Sequence, residues 1–184
     1  ERFFLLVDVW DPHEPWTPPD YYTRLYAPDY DGRETQTCYD NWRDAGLTED
    51  DVRLSHATYS GEVSMVDRWV GSLVEKLDVL GITDDTVVIF VSDHGYYFGE
   101  HDYLGKSVWD PDLGTQSWSP LYRSIVEVPL MIQMPGVAPG RTPALTTLVD
   151  VPATVLDLAG IAVPPEMTGR SLGPLLRGET HRHR

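Results

Sequence analysis

The 184 residues carry 29 acidic against 14 basic side chains, a formal net charge of −15, and 41% of them are hydrophobic. That balance argues against a nucleic-acid partner, since phosphate-backbone binding relies on clustered Lys and Arg, but it leaves an anionic small-molecule substrate open, because a bound cation and a few placed basic groups reverse the field inside a site. No apolar run approaches the ~20 residues of a membrane-spanning helix, and Cys38, the single cysteine, makes an intrachain disulfide impossible and leaves the redox compartment unread.

The length supports roughly one domain of ~100–200 residues. Glu1-Arg2 leads directly into Phe3-Phe4-Leu5-Leu6-Val7 with no basic-then-apolar leader, so the chain reads as a fragment that begins inside a strand, and its compartment is not legible. A strand is predicted from Phe3 to Trp10, broken by Asp11-Pro12-His13-Glu14-Pro15-Trp16-Thr17-Pro18-Pro19, where four prolines exclude helix and central strand. The loop that follows to about Asp44 carries Tyr21, Tyr22, Tyr26, Tyr30, Tyr39 and Trp42, which either roof a pocket or form a satellite core.

Thr48 with Asp51 three residues later resembles a capping box. It opens a predicted helix from about Asp50 to Leu80, with Val63, Val66, Val70, Leu73, Leu77 and Leu80 on one face and Gly81 as its stop. With the strand predicted over 86–92 this helix completes a βαβ unit whose first strand is Phe3 to Val9. The intervening forty-odd residues are long for a plain connector and point to function.

Val87 to Val91 is an apolar, mostly β-branched run that suits a central parallel strand, and it runs into Ser92-Asp93-His94-Gly95. Ligands collect beyond the carboxyl ends of such strands. A carboxylate and an imidazole there form either half of a metal site or a polar turn, with Gly95 supplying backbone freedom for the bend. Val128 to Met134 reads as a further strand turned by Pro135-Gly136, Leu145 to Val149 as a short one, and Asp150 as the N-cap of a helix over 152–159 stopped by Gly160. Gly169-Arg170-Ser171-Leu172 and a short Leu175-Leu176 turn follow. The basic end His181-Arg182-His183-Arg184 is too short to assign.

In this order the motifs resemble the sulfatases of the alkaline phosphatase-like superfamily, over the middle and later part of their catalytic domain. The landmarks are Asp11 to Pro15, Gly61-Glu62-Val63-Ser64-Met65-Val66-Asp67, Ser92 to Gly95, Gly99-Glu100-His101 leading to Gly105-Lys106, Val128-Pro129-Leu130 before Pro135-Gly136, Asp150-Val151-Pro152-Ala153-Thr154 before Leu156 to Gly160, and Thr168 to Leu172. The fold implied is α/β, a partial three-layer sandwich with a mostly parallel sheet flanked by helices, and the whole chain is expected to be a single partial catalytic domain, without the nucleophile segment and the C-terminal subdomain.

The resemblance also implies roles. Asp93 and His94 become ligands of a divalent cation, calcium in most sulfatases, although imidazole favours manganese or zinc, as in related phosphonate and phosphate monoester hydrolases. Lys106 is expected to hold a sulfate oxygen as the ester cleaves, and His13 to contact the sulfate or the leaving oxygen and give it a proton. His101 either borders the substrate pocket or pins the loop. Sulfatases use a formylglycine made within a C/S-x-P/A-x-R motif, which Cys38-Tyr39-Asp40-Asn41-Trp42 does not match, so the nucleophile and the opposite acidic ligands are expected outside this chain and the chain alone is expected to be inactive. The implied partner is a small sulfate ester or a sulfated glycan, with oligomeric state unread. Two alternatives stand beside the sulfatase: a phosphonate or phosphate monoester hydrolase of the same superfamily, and a catalytically silent binding domain.

Overall fold

The structure is a computed structural model that describes residues 2–35 and 37–184, without the side chain of Trp118. In chain order its elements are α1 (Asp20–Thr23), β1 (Asp40–Asn41), α2 (Glu49–Leu80), β2 (Val88–Val91), β3 (Tyr97–Phe98), β4 (Tyr103–Gly105), β5 (Ser107–Asp110), β6 (Thr115–Trp118), α3 (Arg123–Val126), β7 (Leu130–Gln133), α4 (Asp150–Leu158) and α5 (Gly173–Leu176). Two compact units are built from them, residues 1–78 with 94–128 and residues 79–93 with 129–184.

In the first unit α2 begins as its sequence specifies. The backbone N–H and hydroxyl of Thr48 both donate to the Asp51 carboxylate (2.8 and 2.6 Å), and the Asp51 N–H donates back to the Thr48 hydroxyl (3.2 Å). This closes a capping box at the positive end of the helix dipole. Gly81, at φ +67°, ends the helix. The buried face differs from the predicted stripe. Leu54, Ser55, Ala57, Thr58, Gly61 and Glu62 are buried, whereas Val63, Leu73 and Leu80 are exposed. The first half of α2 carries the packing, with Leu54 and Ala57 against Ala27 and Tyr30. A three-stranded sheet in the order β1-β4-β3 and the β5–β6 hairpin are antiparallel throughout.

The second unit holds β2 paired antiparallel with β7 in the register Val88↔Gln133 to Val91↔Leu130. The two predicted apolar strands therefore form and pair, but not in parallel, and the mostly parallel sheet is not found among the described residues. The predicted βαβ unit also lacks its first strand. Residues 2–10 have no ladder partner among the described residues, and Phe4 and Leu6 are 72% and 75% exposed; apolar sequence becomes a strand only where another strand takes its N–H and C=O groups. Leu145 to Val149 likewise stays irregular, because Thr147 turns the chain into α4: its N–H donates to the Asp150 carboxylate (2.9 Å).

Asp150 opens α4 within its first turn rather than preceding it. Fully buried, its carboxylate also accepts the Arg170 N–H (2.9 Å) and the Arg184 guanidinium. Burial pushes this carboxyl up, but the Arg184 bond and the two backbone donors outweigh it and hold the group well below the usual carboxylate range. The Leu172 N–H donates to the Thr154 hydroxyl (2.9 Å). Two of the motifs noted in the sequence are thus the two halves of one packing contact. Among the described residues no helix is long and apolar enough to cross a membrane.

Candidate active site

The loop carrying His13 is held at three places within the first unit. His13 N–H donates to Trp10 O (3.0 Å), Trp16 Nε1–H donates to Pro12 O (3.1 Å), and Thr17 N–H donates to Glu62 Oε1 on α2 (2.8 Å). Trp16 is the anchor. It is 4% exposed and packs against Tyr59, Tyr96 and Phe98 with ring centroids 5.8, 5.0 and 5.2 Å away. Trp16 and Trp42 are thus buried core residues, and Trp16 together with Tyr39 also lines a cavity.

Lys106 is positioned by the sheet. Gly105, the last residue of β4, has φ +152° and lies so near Tyr39 that a Cβ would stand 2.8 Å from the Tyr39 Cα. Only glycine fits that approach. Tyr39 N–H donates to Leu104 O (2.9 Å), which seals the contact, and Tyr39 itself adopts φ +53°, a rare conformation for a bulky residue.

These supports bring four side chains into one cluster. The Lys106 ammonium lies 2.6 Å from His13 Nε2 and 3.0 Å from Glu14 Oε1, and the Tyr39 hydroxyl donates to the same Glu14 oxygen. His13 Nδ1 is 2.7 Å from the backbone O of Glu14. An ammonium has only hydrogens to offer and a carbonyl only lone pairs, so the network assigns the proton to Nδ1 and leaves Nε2 accepting from Lys106. Glu14 is 8% exposed and Lys106 19%. Burial pushes the Glu14 carboxyl up, but the Tyr39 hydroxyl, the local backbone and Lys106 together hold it below the ordinary glutamate value. Burial first, and then the bond to Glu14, push the Tyr39 phenol far up, so it remains a donor. A cavity of about 240 Å³ borders the cluster, lined by Glu14, Pro15, Trp16, Thr35, Thr37 and Tyr39.

The remaining predicted residues are His101, Asp93 and His94. His101, exposed and at φ 56°, stacks on Tyr122 (centroids 3.9 Å) and meets the Tyr97 ring edge-on. Asp93 is exposed two residues beyond β2 in the second unit. His94 opens the next segment of the first unit, with Nδ1 2.9 Å from Gly95 O, which places the proton on Nδ1 and the lone pair on Nε2, the tautomer of a metal-binding imidazole. A carboxylate and such an imidazole fit part of a divalent cation's shell. Among the described residues no group of three or more His, Cys, Asp and Glu is gathered that could hold an ion by itself. Gly95 serves packing rather than bend freedom, since a Cβ there would meet Ser124 O at 1.9 Å, while its N–H donates to Ile125 O (2.8 Å). Cys38, half-buried with its thiol pKa raised by burial, has Sγ 3.4 Å from Asp40 O.

Sequence reasoning gave Glu14 and Glu62 no role beyond their places in the motifs, and named Tyr39 only among the aromatics that roof a pocket or form a satellite core. Glu14 had one available signal, its place beside His13 in a rigid loop. The bond from Tyr39 to Glu14 had none, because it spans twenty-five positions of chain. Glu62 is 3% exposed, accepts the Thr17 N–H with one oxygen and, among the described residues, has no hydrogen-bond partner for Oε2; burial, with a further push from Asp11, raises its carboxyl to about 7.

The sequence model of the sulfatase family matches residues 1–161. The chain is 35% identical over 141 residues to the choline-sulfatase of Rhizobium meliloti (strain 1021), covering 75% of this chain and 25% of that protein. To arylsulfatase K of Xenopus laevis it is 28% identical over 178 residues, covering 96% of this chain and 28% of the relative. Among solved structures it resembles the phosphonate monoester hydrolase of Silicibacter pomeroyi, at TM-score 0.65 and 31% identity over 76% of this chain and 25% of that one. The chain thus spans about a quarter of the length of these relatives.

Proposed function

The chain belongs to the sulfatase family, and on that premise we propose that it forms one wall of the active centre of a longer sulfate-ester hydrolase, with His13 and Lys106 handling the sulfate group. The observation that carries this reading is the 2.6 Å approach of Lys106 Nζ to His13 Nε2 inside a half-buried cluster beside a cavity. Lys106 offers a fixed cation to the sulfate oxygens, where charge develops as the ester bond breaks, and the surrounding side chains limit competing water. His13 is the proton carrier to the leaving oxygen: its Nδ1–H is committed to Glu14 O, so Nε2 is the atom that first takes a proton from solvent and then delivers it to that oxygen.

Asp93 and His94 would supply two ligands to a divalent cation, calcium or, given the imidazole, manganese or zinc. Such an ion supplies charge that orients the substrate and steadies the nucleophile. The nucleophile is a formylglycine contributed from sequence outside these 184 residues, and with it the whole would form a single catalytic domain. Substrates are sulfate esters of small molecules or glycans, in keeping with relatives named choline-sulfatase and N-acetylglucosamine-6-O-sulfatase.

The second reading, a phosphonate or phosphate monoester hydrolase, is favoured by the likeness to the Silicibacter pomeroyi enzyme and by the imidazole at position 94. The test is hydrolysis by the full-length protein of an aryl sulfate against an aryl phosphonate monoester, with peptide mass mapping for formylglycine. Preferred turnover of the sulfate supports the proposal; preferred turnover of the phosphonate favours the second reading. No turnover of either leaves the silent binding domain.

A further inference from the structure

We propose that Glu14 sets the anion affinity of the Lys106–His13 pair by neutralising Lys106, acting as a positioning residue; this rests on the reading of that pair as the sulfate site. Its carboxylate is 8% exposed and 3.0 Å from the Lys106 ammonium, and the Tyr39 hydroxyl bonds the same oxygen. A buried carboxylate so close to a lysine meant for an anion is electrostatically costly for that anion. The local charges are one negative (Glu14), one positive (Lys106) and a neutral His13 whose Nε2 accepts from the ammonium, so the cluster as it stands is neutral.

The arrangement has two physical effects. Glu14 and His13 together hold the ammonium at a defined point, so Lys106 loses little freedom when it turns one hydrogen to a sulfate oxygen. Glu14 also weakens the cluster's attraction for a sulfate group, in the ground state and in the product alike. A fully uncompensated lysine would bind inorganic sulfate, the product, more tightly and release it more slowly; uniform binding of that kind does not speed the chemical step. The backbone of the same residue fixes the imidazole tautomer through its carbonyl, so one residue orients both members of the pair. Placement is secured from outside the pair by Trp16, Thr17 and Gly105, which hold the loop and β4 in register.

The test is calorimetric binding of inorganic sulfate to the full-length protein and to the Glu14→Gln, Glu14→Asp, Lys106→Ala and Glu14→Gln/Lys106→Ala variants. Glu14→Gln, which keeps the shape and removes the charge, is expected to bind sulfate about tenfold tighter. Glu14→Asp, whose carboxylate is drawn back from Lys106, falls between it and the wild type, and the double variant gains nothing over Lys106→Ala. A residue that merely braced the loop would move affinity the other way. Unchanged or weaker sulfate binding by folded Glu14→Gln overturns the proposal, as does a gain that persists without Lys106, or an absence of binding in both wild type and variant. Should Glu14→Gln fail to fold, Glu14→Asp decides by the same sign. Because binding requires no turnover, a wild type that cleaves no sulfate ester would sink the proposed function while the binding cycle still decides the role of Glu14.

Discussion

Lys106 Nζ and His13 Nε2 stand 2.6 Å apart across 93 residues of sequence, one at the end of a β-strand and the other in a proline-rich loop. Neither position has meaning alone. The contact exists because Gly105 lets β4 press against Tyr39 and because Trp16 and Glu62 fix the loop from beneath.

If the pair handles the sulfate group, each member should be costly to remove from the full-length enzyme. Lys106→Ala is expected to lower kcat/KM by roughly 10²–10³, the range for deleting a preorganised charge donor, and His13→Ala to lower kcat by about 10²–10⁴ with the greatest loss on poor leaving groups. Steady-state rates on aryl sulfates of graded leaving-group acidity check this. A loss independent of leaving group would remove His13 from proton transfer.

Asp93→Ala is expected to reduce the divalent-metal content of the full-length protein, read by elemental analysis after gel filtration, and His94→Ala to shift its preference from manganese or zinc toward calcium. Unchanged metal content in both variants would sink the ligand assignment.

The isolated 184-residue chain is expected to hydrolyse no aryl sulfate, since it contains no match to the modification motif. Robust turnover by the pure chain would overturn this.

Glu62 makes stability depend on pH. Its folded carboxyl is raised to about 7, chiefly by burial, from an ordinary value of 4.5. The folded state therefore binds the proton more tightly than the unfolded state does, and the contribution, fully present below the unfolded value, is lost as pH rises from about 4.5 to 7, by up to about 3 kcal/mol. Glu62→Gln should flatten this decline and raise the melting temperature at pH 8 relative to wild type. Parallel melting profiles of the two proteins from pH 4.5 to 8 would refute it.

Asp150 acts in the opposite sense. Its folded carboxyl is held far below the ordinary value, so its contribution is present above about pH 4 and lost as pH falls toward the folded value. Asp150→Ala leaves the Arg184 guanidinium and two backbone N–H groups without their partner and is expected to cost about 3–5 kcal/mol. A loss below about 1 kcal/mol by denaturant titration would count against a buried anchor.

Local chemistry was legible where a few neighbouring residues decide it. The capping box at Thr48 and Asp51, the helix stop at Gly81, and the apolar runs that become β2 and β7 were readable because each depends on residues within one turn or one strand. The order of motifs was enough to point to the sulfatase family. Pairing was not readable. The same apolar composition serves parallel and antiparallel ladders, so β2 reads as a parallel strand in one βαβ unit with Phe3 to Val9, whereas it pairs antiparallel with β7. The exposed side of α2 was hidden for a related reason: a stripe at helical spacing says which residues share a face, whereas contact decides which face is covered.

The sequence by itself determined the long helix α2, the two apolar strands β2 and β7, and the family. Only the tertiary structure decided that Glu14 and Tyr39 join His13 and Lys106, that Gly95 is needed for packing, and that the Asp150 and Thr168 motifs form one anchor. The reason is physical. Hydrogen bonds and charge pairs act over about 3 Å in space whatever their separation along the chain, and a sequence displays only the latter.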